Sequence, residues 1–351
     1  MDFELNEDEA LLAEMAGKFA AACAPGDSRW AELADMGWFG CHLSEAAGGA
    51  GLGLSGAAIL GEAIGRAGLV DGWLGHAILG AGALAGSSAH ADLLAAAVAG
   101  VARLGAALIE PGARHDLTRP ATLARRIEGG YRIDGVKAPG LNCRGADHLV
   151  VSATLGAETA LFLLPAGADG VTVRPIPGPD GRDLARLELA GVTVADEARL
   201  EAAPELPETL ETGMLIALSA ESCGAMQRLV EMTGAHLETR KQFGRPIGSF
   251  QALQHRLADM HVALDEARSL MLAAAMAADA RAPEAARLAR KAWIQTGWSA
   301  RRIGEEAVQM HGAIGMTGEC QVGYFVKRLT ANELIAGHPG LHLGVLAARA
   351  A

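Results

Sequence analysis

The hydrophobic pattern changes period twice along the chain, and those two changes restrict the fold more than any other feature. From residue 2 to about 103, apolar residues recur at helical spacing behind an acidic start of Glu7, Asp8 and Glu9, which suits the positive end of a first helical turn. From Leu104 the texture turns to short alternating or apolar runs, among them ALIE, YRIDGVKA, HLVVSATL, ALFLLPA and VTVRPI, separated by Gly, Pro and Asp. Such runs read as strands. Near Pro204 and Pro207 the helical spacing returns, with Leu253, Leu257, Met260, Leu264 and Met271 at steps of three, four or seven. The order helical, β, helical predicts an α+β chain with segments at 1–103, 104–206 and 207–351, and argues against the βαβ alternation of a doubly wound sheet. Gly51, Gly53 and Gly56 do spell GxGxxG, but CHLSEAAGGA before them is no buried strand, so they read as a loop between two helices.

Composition narrows the function classes. With 351 residues, half apolar and a fifth charged, the chain is long enough for two or three cores, and its net charge of −11 argues against a broad nucleic-acid or anionic-membrane surface. Small molecules or proteins are the expected partners. Cys23, Cys41, Cys143, Cys223 and Cys320 are odd in number and scattered, without a CxxC pair, so free thiols, no metal cluster and a reducing compartment are expected. The start, MDFELNEDEALLAEMAGKFA, lacks the basic and apolar regions of a signal peptide, which points to the cytoplasm. Leu69 to Gly100 is apolar but interrupted by Asp71, His76, His90 and Asp92, and reads as a buried helical layer rather than a membrane span. His338 and His342 have a zinc-like H-x₃-H spacing, yet Pro339 and Gly340 break the helix that would align them. His255 and His261 fall on the polar side of a helical pattern and read as solvated.

Two clusters carry candidate chemistry. Arg240, Gln242 and Phe243 follow a long helical pattern and place a bidentate cation, an amide and an aromatic face together, as a diphosphate joined to a flat ring requires. The same residues also suit a plainer role, in which Arg240 and Lys241 complement a helix C-terminus and Phe243 plugs the core before the Gly244–Gly248 turn. Gln309, Gly312 and Gly315 are likewise either a helix end with permissive glycines or a backbone platform for a phosphate or ring edge.

The stretch RKQFGRPIGSFQALQHRLADM, residues 240–260, resembles the flavin-gripping segment of the acyl-CoA dehydrogenase family. Three further stretches, MGWFGCHLSEAAGGAGLGLSGAAILGEAIGRA, ALIEPGARHD and EAVQMHGAIGMTGE, are similar to that family's segments in the same order, and together they cover nearly the whole chain. The resemblance implies an N-terminal α-helical domain, a central β-barrel-like domain and a C-terminal four-helix bundle. It implies FAD as cofactor, an acyl-CoA substrate, an electron-transfer protein as possible acceptor, and a homo- or hetero-oligomer, dimer or tetramer. Arg240, Gln242, Phe243, Gln251, Gln309, Gly312 and Ala313 would contact FAD across a subunit interface. The implied reaction is α,β-dehydrogenation of the thioester: a carboxylate removes the α-proton while the β-hydrogen leaves as hydride.

The sequence departs from the family where that carboxylate belongs. The usual Glu-Gly pair falls on Ala336-Gly337, and the alternative position on the preceding long helix falls on Met214. Candidates for a displaced base are His338 directly after the pair, Glu333 three residues before Ala336, Glu221 on the face of Met214, and Glu211, which otherwise reads as a solvated first-turn acid. Ile109, Arg114-His115 and Pro139-Gly140-Leu141 stand where the family offers residues to the flavin or CoA, and Leu215 stands where several members carry an arginine for the CoA end. Glu110, Pro111 and Asp116 match. Three readings follow: a flavoenzyme with a displaced base, a catalytically reduced subunit lending its segments to a flavin whose base lies on a paired chain, or a non-redox acyl-CoA-binding scaffold. The phrases TRKQFGRPIGSFQALQHRLADM and VKRLT resemble small subunits of two-chain acyl-CoA dehydrogenases and favour the second.

Overall fold

A computed structural model of the chain describes residues 4–112, 116–201 and 203–350. Helix α1 (Glu7–Ala21) starts on a reciprocal cap: the Asn6 side chain accepts from the Glu9 amide at 2.9 Å, and the Asn6 amide donates to the Glu9 carboxylate at 3.0 Å. Helices α2 (Trp30–Asp35) and α3 (Gly53–Ala67) follow, then a π-helical stretch Leu74–Ala81 continued by α4 (Gly82–Leu84), and α5 (Ala91–Val98). All eight residues of the π-helical stretch are buried, His76 among them.

Strands β1 (Leu104–Ala107), β2 (Leu123–Ile127), β3 (Gly130–Leu141), β4 (His148–Leu155), β5 (Glu158–Pro165), β6 (Val171–Ile176) and β7 (Leu184–Ala195) form one sheet in the order β1-β4-β2-β3-β7-β6, with β5 beside β4. Because β1 also pairs with β3, the ladder β1-β4-β2-β3 returns on itself and closes a small ring. The sheet's core cluster includes Tyr131, Ile133, Val151, Phe162 and Leu187.

Beyond β7 the chain is helical: α6 (Leu206–Thr239), α7 (Gln251–Asp279), α8 (Ala285–His311), α9 (Val322–Ala336) and α10 (Pro339–Ala350). A two-strand hairpin, β8 (Lys241–Gln242) with β9 (Arg245–Pro246), links α6 to α7. The GxGxxG glycines precede and open α3, without a strand before them.

By compactness the chain divides into two units, one of residues 1–27, 58–69 and 215–351 and the other of residues 28–57 and 70–214. The first unit is packed around Met226, Leu229, Met260, Leu264, Ile303 and Phe325. Within it α3 and α6 cross with their backbones nearly touching. A Cβ on Gly65 would lie 1.9 Å from the Glu221 carbonyl oxygen, and one on Gly224 would lie 1.9 Å from that of Glu62, so each helix places glycine where the other passes.

Candidate active site

Arg240 sits just past the end of α6, and Gln242 and Phe243 lie in the hairpin that follows. All three are exposed, Phe243 at 91% with a φ of 53°, so the aromatic ring is presented outward rather than plugged into the core. The plainer reading of Phe243 as a core residue is therefore wrong for this chain. The hairpin's own apolar contact is a T-shaped one from Phe243 to Phe250, at 6.1 Å between centroids, with the Arg245 guanidinium over Phe250. Arg240 makes no side-chain hydrogen bond or ion pair among the described residues, and its five donors face outward. Gln251 opens α7, and Gln309, Gly312 and Ala313, all exposed, form the end of α8 and the turn after it. Gly312 has a φ of 67°, with nothing within 4 Å of the Cβ position.

These residues fit a dinucleotide. They combine an unpartnered guanidinium, exposed amides, an uncovered aromatic ring and a glycine turn open to close approach, all on the first unit. Sequence reasoning missed a pair that joins the two segments: the rings of His236, on α6, and His311, on α8, stack at 4.4 Å and 26°.

The position of the expected base holds no carboxylate. Ala336 is the last residue of α9 and fully buried, and Gly337 takes a φ of 93°. Both carbonyls are held: the Trp293 indole N–H donates to Gly337 O at 2.8 Å, and His342 Nε2 lies 2.7 Å from Ala336 O. An Arg290 guanidinium nitrogen is 3.2 Å from His342 Nδ1; a guanidinium only donates, so Nδ1 accepts and Nε2–H is directed at Ala336. His342 is thus a neutral clamp on the backbone and far from solvent, not a metal ligand, and no cluster of metal-ligating groups exists among the described residues. The H-x₃-H spacing was the one available signal for His342; Trp293 gave none.

The displaced-base candidates divide. Glu221 is 3% exposed and receives a hydrogen bond from Arg328 Nε at 2.8 Å, while Arg328 Nη2 donates to Leu69 O. Its carboxylate is committed to a fully buried guanidinium. Glu211 is 1% exposed, which corrects its reading as a solvated acid: every residue from Leu210 to Met226 on α6 is buried, so this stretch has no solvent face for an acid to occupy. Met214 and Leu215 are buried in the same run. His338 and Glu333 lie at the surface, with Nε2 to Oε1 at 3.9 Å. His338 Nδ1 accepts the Gly340 amide at 3.0 Å, capping α10. His255 and His261 are exposed.

In the second unit, Ile109, Gly140 and Leu141, three of the positions expected to depart from the family, are buried, and Pro139 is half-buried. Ile109 is 2% and Leu141 5% exposed, and a Cβ on Gly140 would meet Leu187 at 2.4 Å. Arg114 and His115 lie outside the described residues. Glu110 accepts from the Ala121 and Thr122 amides and from Lys137, whose ammonium also reaches Ser152 at 2.9 Å. Burial pushes Lys137 down to about 8 despite Glu110; burial also opposes ionisation of Glu110, but the lysine and the amides hold it below the ordinary carboxylate value. Glu110 is a structural anchor of the sheet.

Residues 6–91 match the model of the acyl-CoA dehydrogenase N-terminal domain, and residues 214–351 that of the C-terminal domain. A benzylmalonyl-CoA dehydrogenase of Aromatoleum aromaticum is 30% identical over 93% of either chain. The chain belongs to the acyl-CoA dehydrogenase family. Members are FAD-dependent oxidoreductases acting on CH–CH groups of acyl-CoA thioesters. Among solved structures, one titled as the ChsE4-ChsE5 complex from Mycobacterium tuberculosis matches with a TM-score of 0.90 at 25% identity, covering 99% of this chain and 98% of its own. Another, titled as a Tcur3481-Tcur3483 steroid ACAD variant, matches with a TM-score of 0.89 at 29% identity, covering 97% of each chain. In this acyl-CoA dehydrogenase homologue the segment expected to meet the flavin is exposed, and Ala336, where a carboxylate was expected, is buried. No helix of the described residues is long and apolar enough to cross a membrane.

Proposed function

We propose that this chain is one subunit of a hetero-oligomeric acyl-CoA dehydrogenase: it helps to hold FAD, and the α-proton is removed by a carboxylate on a paired chain. The observation that carries the reading is the Ala336-Gly337 turn, closed on both carbonyls and without an acid. Glu221, one of the two buried acids considered on α6, is neutralised by Arg328. Arg240 would bind the FAD diphosphate as a bidentate donor, Gln242, Gln251 and Gln309 would supply amide hydrogen bonds, Gly312 and Ala313 would admit the cofactor to the backbone, and Phe243 would cover an apolar face. FAD, when bound, supplies the acceptor for the β-hydrogen. An electron-transfer protein would be the class of partner that accepts the electrons from the complex. Five free thiols, three of them buried, support a cytoplasmic setting.

The two neighbours titled as two-chain assemblies support pairing with a different chain. The test is co-expression with a second family chain that carries the glutamate. The pair should be bleached by an acyl-CoA substrate, and Glu→Gln in the second chain should abolish bleaching. If bleaching survives that substitution, the base lies on this chain and the proposal fails.

A further inference from the structure

His236 and His311 are the most conspicuous titratable groups that the reaction leaves unused. His236 lies one turn before Arg240, whose amide donates to the His236 carbonyl at 2.9 Å. His311 lies between Gln309 and Gly312 on α8. Their stacked rings therefore join the two segments assigned to FAD, at a place where both are half-buried. His311 Nδ1 is 2.8 Å from Ala307 O, so that nitrogen carries the hydrogen and Nε2 is the one that can take a proton.

The charged groups acting on His236 are the neighbouring ring and Arg240. Burial first, then His311 and Arg240, push its basicity below the ordinary histidine value. Neither ring makes an ion pair among the described residues. The positive charge beside His236 thus disfavours its protonation, and no carboxylate is ion-paired to either ring among the described residues. A diphosphate is negatively charged throughout the range in which histidine titrates, and beside Arg240 it would reverse the penalty on protonation.

Resting on the FAD reading above, we propose that the His236–His311 pair is a proton-binding part of the diphosphate site, taking up a proton as FAD binds. By linkage, the group binds protons more tightly in the complex than in the free chain. FAD affinity then rises as pH falls through the bound-state value and levels off below the free-state value. Each unit of upward shift amounts to about a tenfold gain in affinity.

The experiment is a titration of the full-length apoprotein with FAD between about pH 8 and pH 6, following flavin fluorescence, with calorimetry in buffers of different ionisation enthalpy near the midpoint. Wild type should tighten about tenfold and take up close to one proton, while His236→Gln and His311→Gln bind FAD with a flat profile. A flat wild-type profile without proton uptake overturns the proposal, as does a variant that keeps the wild-type slope. If either variant does not fold, the wild-type proton uptake decides alone. No FAD binding at any pH would instead overturn the cofactor reading, a separate result.

Discussion

Glu221→Gln keeps the shape of the side chain and removes its charge, so the buried Arg328 guanidinium loses the carboxylate that accepts from its Nε. Arg328 is 0% and Glu221 3% exposed, so solvent cannot replace the lost partner. Breaking a buried pair on one side typically costs about 3–5 kcal/mol, a large share of the roughly 5–15 kcal/mol that holds a domain. With a urea slope of ~3 kcal/mol/M, the midpoint of unfolding should fall by roughly 1–2 M. A Glu221→Met/Arg328→Met double variant should recover most of the loss, because two apolar groups leave no uncompensated charge. Urea unfolding followed by circular dichroism measures both. In the same samples, the bleaching rate per folded complex with the paired chain should stay unchanged. An unshifted midpoint would refute the pairing argument. A normal midpoint with a large drop in bleaching would make Glu221 the base after all.

Three other outcomes are expected. His76 is fully buried, accepts the Leu104 amide on Nδ1 at 3.0 Å and has Nε2 3.0 Å from Ala97 O, and burial lowers its pKa from 6.5 to about 4. The folded value lies below the unfolded one, so stability is complete above about 6.5 and falls towards pH 4 by roughly 3 kcal/mol, and His76→Gln should show a shallower acid slope in pH-dependent unfolding. Gly65→Ala forces a Cβ against the Glu221 carbonyl, and should lower the thermal midpoint through a loss of about 2–3 kcal/mol; an unchanged midpoint would contradict the close crossing of α3 and α6. Arg240→Gln removes a charge-assisted donor worth ~1.5–3 kcal/mol and should weaken FAD binding about 10- to 100-fold in equilibrium dialysis.

Much of the fold was legible because period reports on faces. The switch near Leu104 marks β1, and the return near Pro207 marks α6. The acidic run at Glu7 was legible as a first turn because capping is local, closed within three residues. What was not legible involves contacts remote in sequence. Arg328 and Glu221 are 107 residues apart, and neither residue's own helix reveals the pairing. Glu211 was misread because a helix buried on every side has no polar stripe, so a lone acid near its start looks like a solvated one. For Phe243 the residues alone left a flat-ring contact and a core plug both open, and its 91% exposure in the hairpin removes the core plug. That Ala336 is no carboxylate is plain in the sequence, whereas the clamp of Trp293 and His342 around Ala336 and Gly337 joins residues on three helices.

The central claim is that this chain contributes to a flavin site without supplying the proton acceptor. Anaerobic addition of an acyl-CoA panel to the purified, FAD-loaded chain alone tests it most directly. The flavin absorbance should persist with every thioester, since loss of a general base slows the step about 10²- to 10⁴-fold. Rapid bleaching of the lone chain by any one of them would contradict the account.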